Sequence, residues 1–200
     1  MPAAFDKQEY WHSRFATETS FEWLAPSEVF ASILDPYLSR LDASSRILHV
    51  GAGTSDLQNH LRKRGFLEVT NVDYEPIAVD RGVELEMAAF GNIKMKYLIA
   101  DATQLDLPGK FDLVIDKSTA DAVSCGGDEA LLRMAWSVRD CLAEGGIWIS
   151  MSYSSSRFNL DALPFDVDVI AKIPTPKQRP ADPDIYHICY LLKPMEDSFH

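Results

Sequence analysis

Apolar and polar positions change period from block to block along the chain. Ile47, Leu48 and Val50 surround a lone His49 and run directly into Gly51, Ala52 and Gly53. A short apolar run ending in a glycine turn predicts a buried strand over residues 46–50. A helix over 56–64 follows, with Leu57, His60 and Leu61 on one face and Gly65 just past its end. The alternation continues with strands over 68–72, 95–100, 111–115 and 147–153, and with helices over 76–90 and 128–142. Upstream, Val29, Ile33, Leu34, Tyr37, Leu38 and Leu41 recur at helical spacing over 26–41. Pro36 is expected to kink or divide that helix. Downstream, 167–173 and 185–192 read as two strands joined by a loop with four prolines between residues 174 and 184. The pattern is therefore five β/α units followed by a hairpin. It predicts an α/β fold: a mostly parallel sheet with helices on both faces and an antiparallel end. No linker divides it. The expected organisation is one domain over 1–200, with an N-terminal aromatic segment and helix (1–41), a core (46–153) and a C-terminal hairpin (165–193).

Charge narrows the partners. The formal net charge is −11 and the isoelectric point about 4.8. Such a surface repels phosphate backbones and anionic membranes, so neither nucleic acid nor membrane is expected, and a basic protein partner is favoured. Hydrophobic content of 46% with 24% charged residues is ordinary for a globular chain with a real core. Cys125, Cys141 and Cys189 are widely spaced and odd in number, which suggests neither a zinc site nor a disulfide framework. Buried, reduced thiols are the expectation, and no metal site is predicted. The N-terminus lacks an apolar core of signal-peptide length, and no run approaches the roughly 18 apolar residues of a membrane span. The expected location is cytoplasmic.

Candidate chemistry gathers at the strand ends, because open parallel sheets bind ligands at the carboxyl ends of their strands. Those ends carry Gly51 and Gly53, then Asp73, Asp101 and Asp116. Asp73 lies 22 residues after Gly51, the separation at which an acid accepts hydrogen bonds from ribose hydroxyls. A dinucleotide fingerprint needs a third glycine at position 56, where this chain has Asp. A carboxylate beside a pyrophosphate is repulsive. S-adenosylmethionine carries no phosphate, and its sulfonium and α-ammonium suit acids and aromatic faces. Asp101 would then accept from the adenine amino group, with the Ala102 N–H on a ring nitrogen.

These stretches resemble class I S-adenosylmethionine-dependent methyltransferases, and within them the subgroup of lysine methyltransferases of translation elongation factor 1 alpha. The matching segments are YWHSRF, FEWL, ILHVGAGTSDL, VTNVDY, ADATQLDLP, FDLVIDKSTADA and LAEGGIWISMS, in order over residues 10–153. The resemblance implies a Rossmann-like, seven-stranded sheet ending in an antiparallel strand. It implies that Gly51 and Gly53 face the methionine part, that Asp73 binds ribose, that Tyr74 lies on the adenine, and that Asp101 and Ala102 read its edge. It implies that Trp11, Arg14, Phe15 and Trp23 form a lid with carboxylate contacts, where packing onto the core is the alternative. It places Asp116 and Lys117 at the reacting centre, Lys117 having an ion pair with Asp116 or Asp121 as its alternative. The family motif DKGTLDA reads DKSTADA here, so Ser118 replaces a glycine and Ala120 a leucine near the acceptor pocket.

The implied activity is in-line methyl transfer to a protein lysine. A small-molecule methyltransferase is the first rival, with the proline-rich loop as a pocket wall. A cofactor-binding partner protein without turnover is the second. A dinucleotide oxidoreductase is disfavoured by Asp56. His12, His49, His60 and His187 show no metal-ligand spacing and are expected to be packing or surface residues.

Overall fold

A computed structural model describes residues 4–177, 179 and 181–196. Its elements run α1 (Gln8–Phe15), α2 (Ser27–Leu38), β1 (Ile47–Val50), α3 (Leu57–Lys63), β2 (Val69–Asp73), α4 (Pro76–Phe90), β3 (Lys96–Ile99), β4 (Phe111–Lys117), α5 (Thr119–Ser124), α6 (Asp128–Cys141), β5 (Leu142–Ser152), β6 (Phe165–Pro174) and β7 (Tyr186–Pro194). The strands form one seven-stranded sheet in the order β3-β2-β1-β4-β5-β7-β6. The first five strands are parallel, and β7 runs antiparallel between β5 and β6. Strand order reverses between β1 and β4, and that switch point opens a crevice at their carboxyl ends.

The inner strands β1 and β4 are apolar runs because both faces of the sheet are covered there. Leu48 and Val50 of β1 enter one layer with Val114, Trp148 and the α6 residues Leu131, Met134 and Val138. Ile47 enters the other, with Leu113, Ile115 and the α2 and α3 residues Phe30, Leu34, Leu57 and Leu61. At the sheet edge β3 is largely exposed.

Four sequence expectations change. The α2 helix is not divided at Pro36; it runs on to Leu38, because Leu34 and Leu38 are both buried against the core. A short helix, α5, follows β4 where the pattern predicts none, since six residues are too few to establish a period. The β5 strand begins at Leu142, but regular pairing with β4 resumes only at Ile147, after the ladder shifts between Phe111 and Leu113. Cys125 is exposed, while Cys141 and Cys189 are buried as free thiols.

The proline-rich connection turns at the carboxyl rim, because β6 runs parallel to β5 and Pro174 pairs with Tyr186. Gln178 and Pro180 of that loop lie outside the described residues. No helix among the described residues is long and apolar enough to cross a membrane.

A buried polar knot locks α3 and α4 to β3. Glu86 is fully buried and pairs with Arg62, accepts the Tyr97 hydroxyl at 2.9 Å, and accepts the Lys94 N–H at 3.0 Å. Arg62 also lies over the Phe90 ring, 4.2 Å from its centroid. Removing one partner of a buried ion pair leaves the other uncompensated. Glu86→Ala is therefore expected to lower unfolding free energy by about 3–5 kcal/mol in urea denaturation.

Candidate active site at the strand switch point

A cavity of about 360 Å³ occupies the crevice over β1, β2 and β4. Its floor is the glycine turn. Gly51 and Gly53 have φ of +63° and +56°, which residues with a Cβ adopt at a cost. A Cβ on Gly51 would stand 2.1 Å from the Thr119 hydroxyl, which donates to the Val50 carbonyl at 3.0 Å. Gly51 thus permits the start of α5 to close on the end of β1. A Cβ on Gly53 would project toward Phe15, 3.8 Å from its ring, into the space between turn and lid.

Asp73 ties this floor together. Its Oδ2 accepts the Gly53 N–H at 2.9 Å and its Oδ1 accepts the Glu75 N–H at 3.0 Å. Burial pushes its carboxyl up to about 6, against the pull of those backbone donors. Tyr74 follows, half-buried, with burial raising its phenol above the usual range. Asp101 and Ala102 line the next wall, the Asp101 carboxylate capping Thr103 through its N–H at 2.8 Å and its hydroxyl at 2.8 Å.

The remaining wall is aromatic and comes from the N-terminus. Phe5, Trp11, Phe15, Phe21 and Trp23 all face the cavity. Edge-on contacts join them, including Trp11 to Trp23 at 5.7 Å and Phe21 to Trp23 at 5.1 Å between centroids. Polar contacts hold α1 to the end of β2: Gln8 Nε2 donates to the Tyr74 carbonyl at 2.8 Å, and His12 Nδ1 meets Glu75 Oε1 at 3.0 Å.

The structure brings together Trp11, Phe15, Trp23, Gly51, Gly53, Asp73, Tyr74, Asp101, Ala102 and Lys117 around one cavity. Arg14 and Asp116 stand outside it. The Arg14 guanidinium packs behind the wall, 4.8 Å from the Phe21 centroid and 4.7 Å from Trp23, with its Nε on Glu18 at 2.7 Å. Asp116 is sealed under the floor. It accepts the Ala120 N–H at 3.0 Å and the Trp148 indole N–H at 2.8 Å, and burial pushes its carboxyl up to about 6. Lys117 pairs with Glu22 of the N-terminal segment, not with Asp116 or Asp121. Asp121 is paired instead with Arg157, at 2.8 Å. No residue of the proline-rich loop lines the cavity among the described residues.

Sequence reasoning missed two contributors, His49 and Thr54, and placed a third, Ser118, near the acceptor pocket. His49 is a buried strand residue that also borders the cavity, and burial brings its imidazole down to about 4. Its Nδ1 lies 3.1 Å from Asn71 Oδ1. The signal was a lone polar side chain two positions before the glycine turn. Ser118 lines the cavity at φ +72° and so carries the strain that the family glycine avoids. Thr54 joins the turn to the lid and left no trace in the pattern.

The region 47–146 matches the family model described as "Methyltransferase domain". The chain is 58% identical over 196 residues to "Methyltransferase srdJ" of Neurospora crassa, covering 95% of this chain and 84% of that protein. It is 31% identical over 166 residues to "EEF1A lysine methyltransferase 4" of Mus musculus, covering 76% of this chain and 63% of that relative. Among solved structures, N-methyltransferase NodS from Bradyrhizobium japonicum, in complex with S-adenosyl-l-homocysteine, superposes with a TM-score of 0.71. It is 14% identical and covers 95% of this chain and 100% of NodS, a likeness of fold.

The two raised carboxyls set a pH dependence for the ligand-free protein. Between about 4 and about 6 the folded state keeps protons that unfolded aspartates have lost, so stability falls as pH rises through that window and levels off above it. Each group accounts for on the order of 2–3 kcal/mol. Urea unfolding from pH 4 to 7 is expected to show this fall, and Asp73→Asn to remove about half of it.

Proposed function

The chain belongs to the methyltransferase-domain family, and from that premise we propose that it is an S-adenosylmethionine-dependent enzyme that methylates a lysine side chain of a basic protein. The observation that carries the reading is the aromatic wall closed over Asp73 and the glycine turn. The chemistry of the cavity fits this cofactor. A carboxylate faces the expected ribose hydroxyls, aromatic rings face a sulfonium, and the open space above Gly53 leaves room for the methionine end. The mouse relative named as an EEF1A lysine methyltransferase, together with the net charge of −11, favours a lysine on a basic protein.

When bound, S-adenosylmethionine supplies an already activated methyl group on sulfur. Asp73 would accept from the ribose, Tyr74, Asp101 and Ala102 would hold the adenine, and the turn at Gly51 and Gly53 would face the methionine end. Trp11, Phe15 and Trp23 exclude water. That wall desolvates an entering ammonium and lowers its pKa, so the amine enters neutral after giving its proton to water at the mouth. The protein's remaining work is alignment, since the leaving group needs no further activation. Asp116, held by Ala120 and Trp148, stiffens the floor at the start of α5.

Two measurements test this. With methyl-labelled cofactor and purified eEF1A, or a cell extract, label is expected in methyl-lysine after acid hydrolysis of the protein fraction. Label confined to small molecules would overturn the lysine reading. S-adenosylhomocysteine affinity is expected to rise about ten-fold per pH unit up to about pH 6 and then level, as Asp73 ionises to accept the ribose hydroxyls. Asp73→Asn is expected to weaken binding and flatten this profile.

A further inference from the structure

Three acceptors converge on the Lys117 Nζ at the end of β4, where the side chain is only 4% exposed. All come from one short stretch of the N-terminal segment: the Glu22 carboxylate, the Trp23 carbonyl at 3.1 Å and the Ala25 carbonyl at 3.1 Å. An ammonium has three donors, so its capacity is fully used.

The backbone between those two carbonyls is strained. Leu24 sits at φ +64°, in the left-handed region that side-chain-bearing residues avoid. Across it the Ala25 N–H donates to the Trp23 carbonyl at 2.7 Å, closing a three-residue turn. The Trp23 and Ala25 carbonyls of this turn both reach Lys117. Glu22 is oriented in turn by the Ser27 hydroxyl, 2.7 Å from its other oxygen.

The segment has a second tether on the glycine turn. Thr54 Oγ1 accepts the Phe21 N–H at 3.2 Å and donates to Glu18 Oε1 at 3.0 Å. Thr54 follows β1 and Lys117 ends β4, and those strands pair in register. Residues 18–25 therefore lie across two adjacent strand ends, and Phe21 and Trp23 face the cavity from between the tethers.

We propose that Lys117 is a positioning residue, which clamps the Glu18–Ala25 segment over the cavity and so sets cofactor affinity without taking part in methyl or proton transfer. The inference rests on the cavity being the cofactor site. Its physical basis is the cost of an unpaired buried ammonium. Opening the segment would strip Lys117 of all three acceptors at once, and closing it satisfies them. The same closure maintains the strained turn at Leu24, which has no glycine to relax it.

The test compares Lys117→Met, Lys117→Arg and Glu22→Gln by amide exchange in the ligand-free protein and by calorimetry with S-adenosylhomocysteine. In Lys117→Met the Phe21 and Ala25 amides are expected to exchange at least about ten-fold faster, with β1 and β4 amides unchanged. Affinity is expected to fall about ten-fold or more, as for loss of a charge-assisted contact. Lys117→Arg is expected to recover most of both, and Glu22→Gln to shift both in the same direction by less. Wild-type exchange and affinity in Lys117→Met would overturn the proposal. If Lys117→Met does not fold, Glu22→Gln decides by the same two readouts. Wild-type protein that fails to bind the ligand would overturn the cofactor reading, while the exchange comparison still decides the clamp.

Discussion

One carboxylate organises the crevice. Asp73 ends β2 and bonds both the Gly53 N–H beyond β1 and the Glu75 N–H at the entry to α4. A turn with two left-handed glycines has no side chains of its own to fix its shape, and Asp73 fixes it from the neighbouring strand. That demands burial of the group, and burial raises its pKa toward 6. The same burial that costs stability near neutral pH holds an acceptor ready where ligand hydroxyls would arrive. Asp116 repeats the arrangement at the end of β4, accepting from Ala120 and Trp148, but it lies outside the cavity that Asp73 lines.

The lid depends on polar contacts as much as on its aromatic content. Rings packed edge to face at 5–6 Å form a wall, but these contacts orient the rings relative to one another and do not fix the segment on the core. Direction comes from four polar tethers: Gln8 on the Tyr74 carbonyl, His12 on Glu75, Thr54 on Phe21 and Glu18, and Lys117 on residues 22–25. Each joins the N-terminal segment to a strand end of the core. The Arg14 guanidinium backs Phe21 and Trp23 and so stiffens the wall from behind.

Legibility followed the range of the interaction. The strand containing Ile47, Leu48 and Val50 is readable because three apolar residues and a glycine turn are local signals. Asp73, Asp101 and the glycine turn are readable because the parallel topology turns strand ends into one rim. Lys117 illustrates the opposite case. Chain position suggests Asp116 or Asp121 as its partner, but side chains alternate across a strand, and the acceptors it reaches lie more than 90 residues away. Arg14 shows a related limit: nothing in a helical pattern says that aromatic faces on a later segment will take the guanidinium.

The sequence by itself determined the alternating β/α layers, the antiparallel end and the acids at the strand ends. These depend on period, turn residues and strand ends, all of which act over a few positions. Tertiary structure alone decided which acids face the cavity and which are sealed. It also set the strand order that opens the switch-point crevice, brought His49 to the cavity wall and paired a lysine of the core with the N-terminal segment. That pairing turns on how buried charges find partners, and a buried charge is satisfied by whatever segment folding brings to it, however distant in the chain.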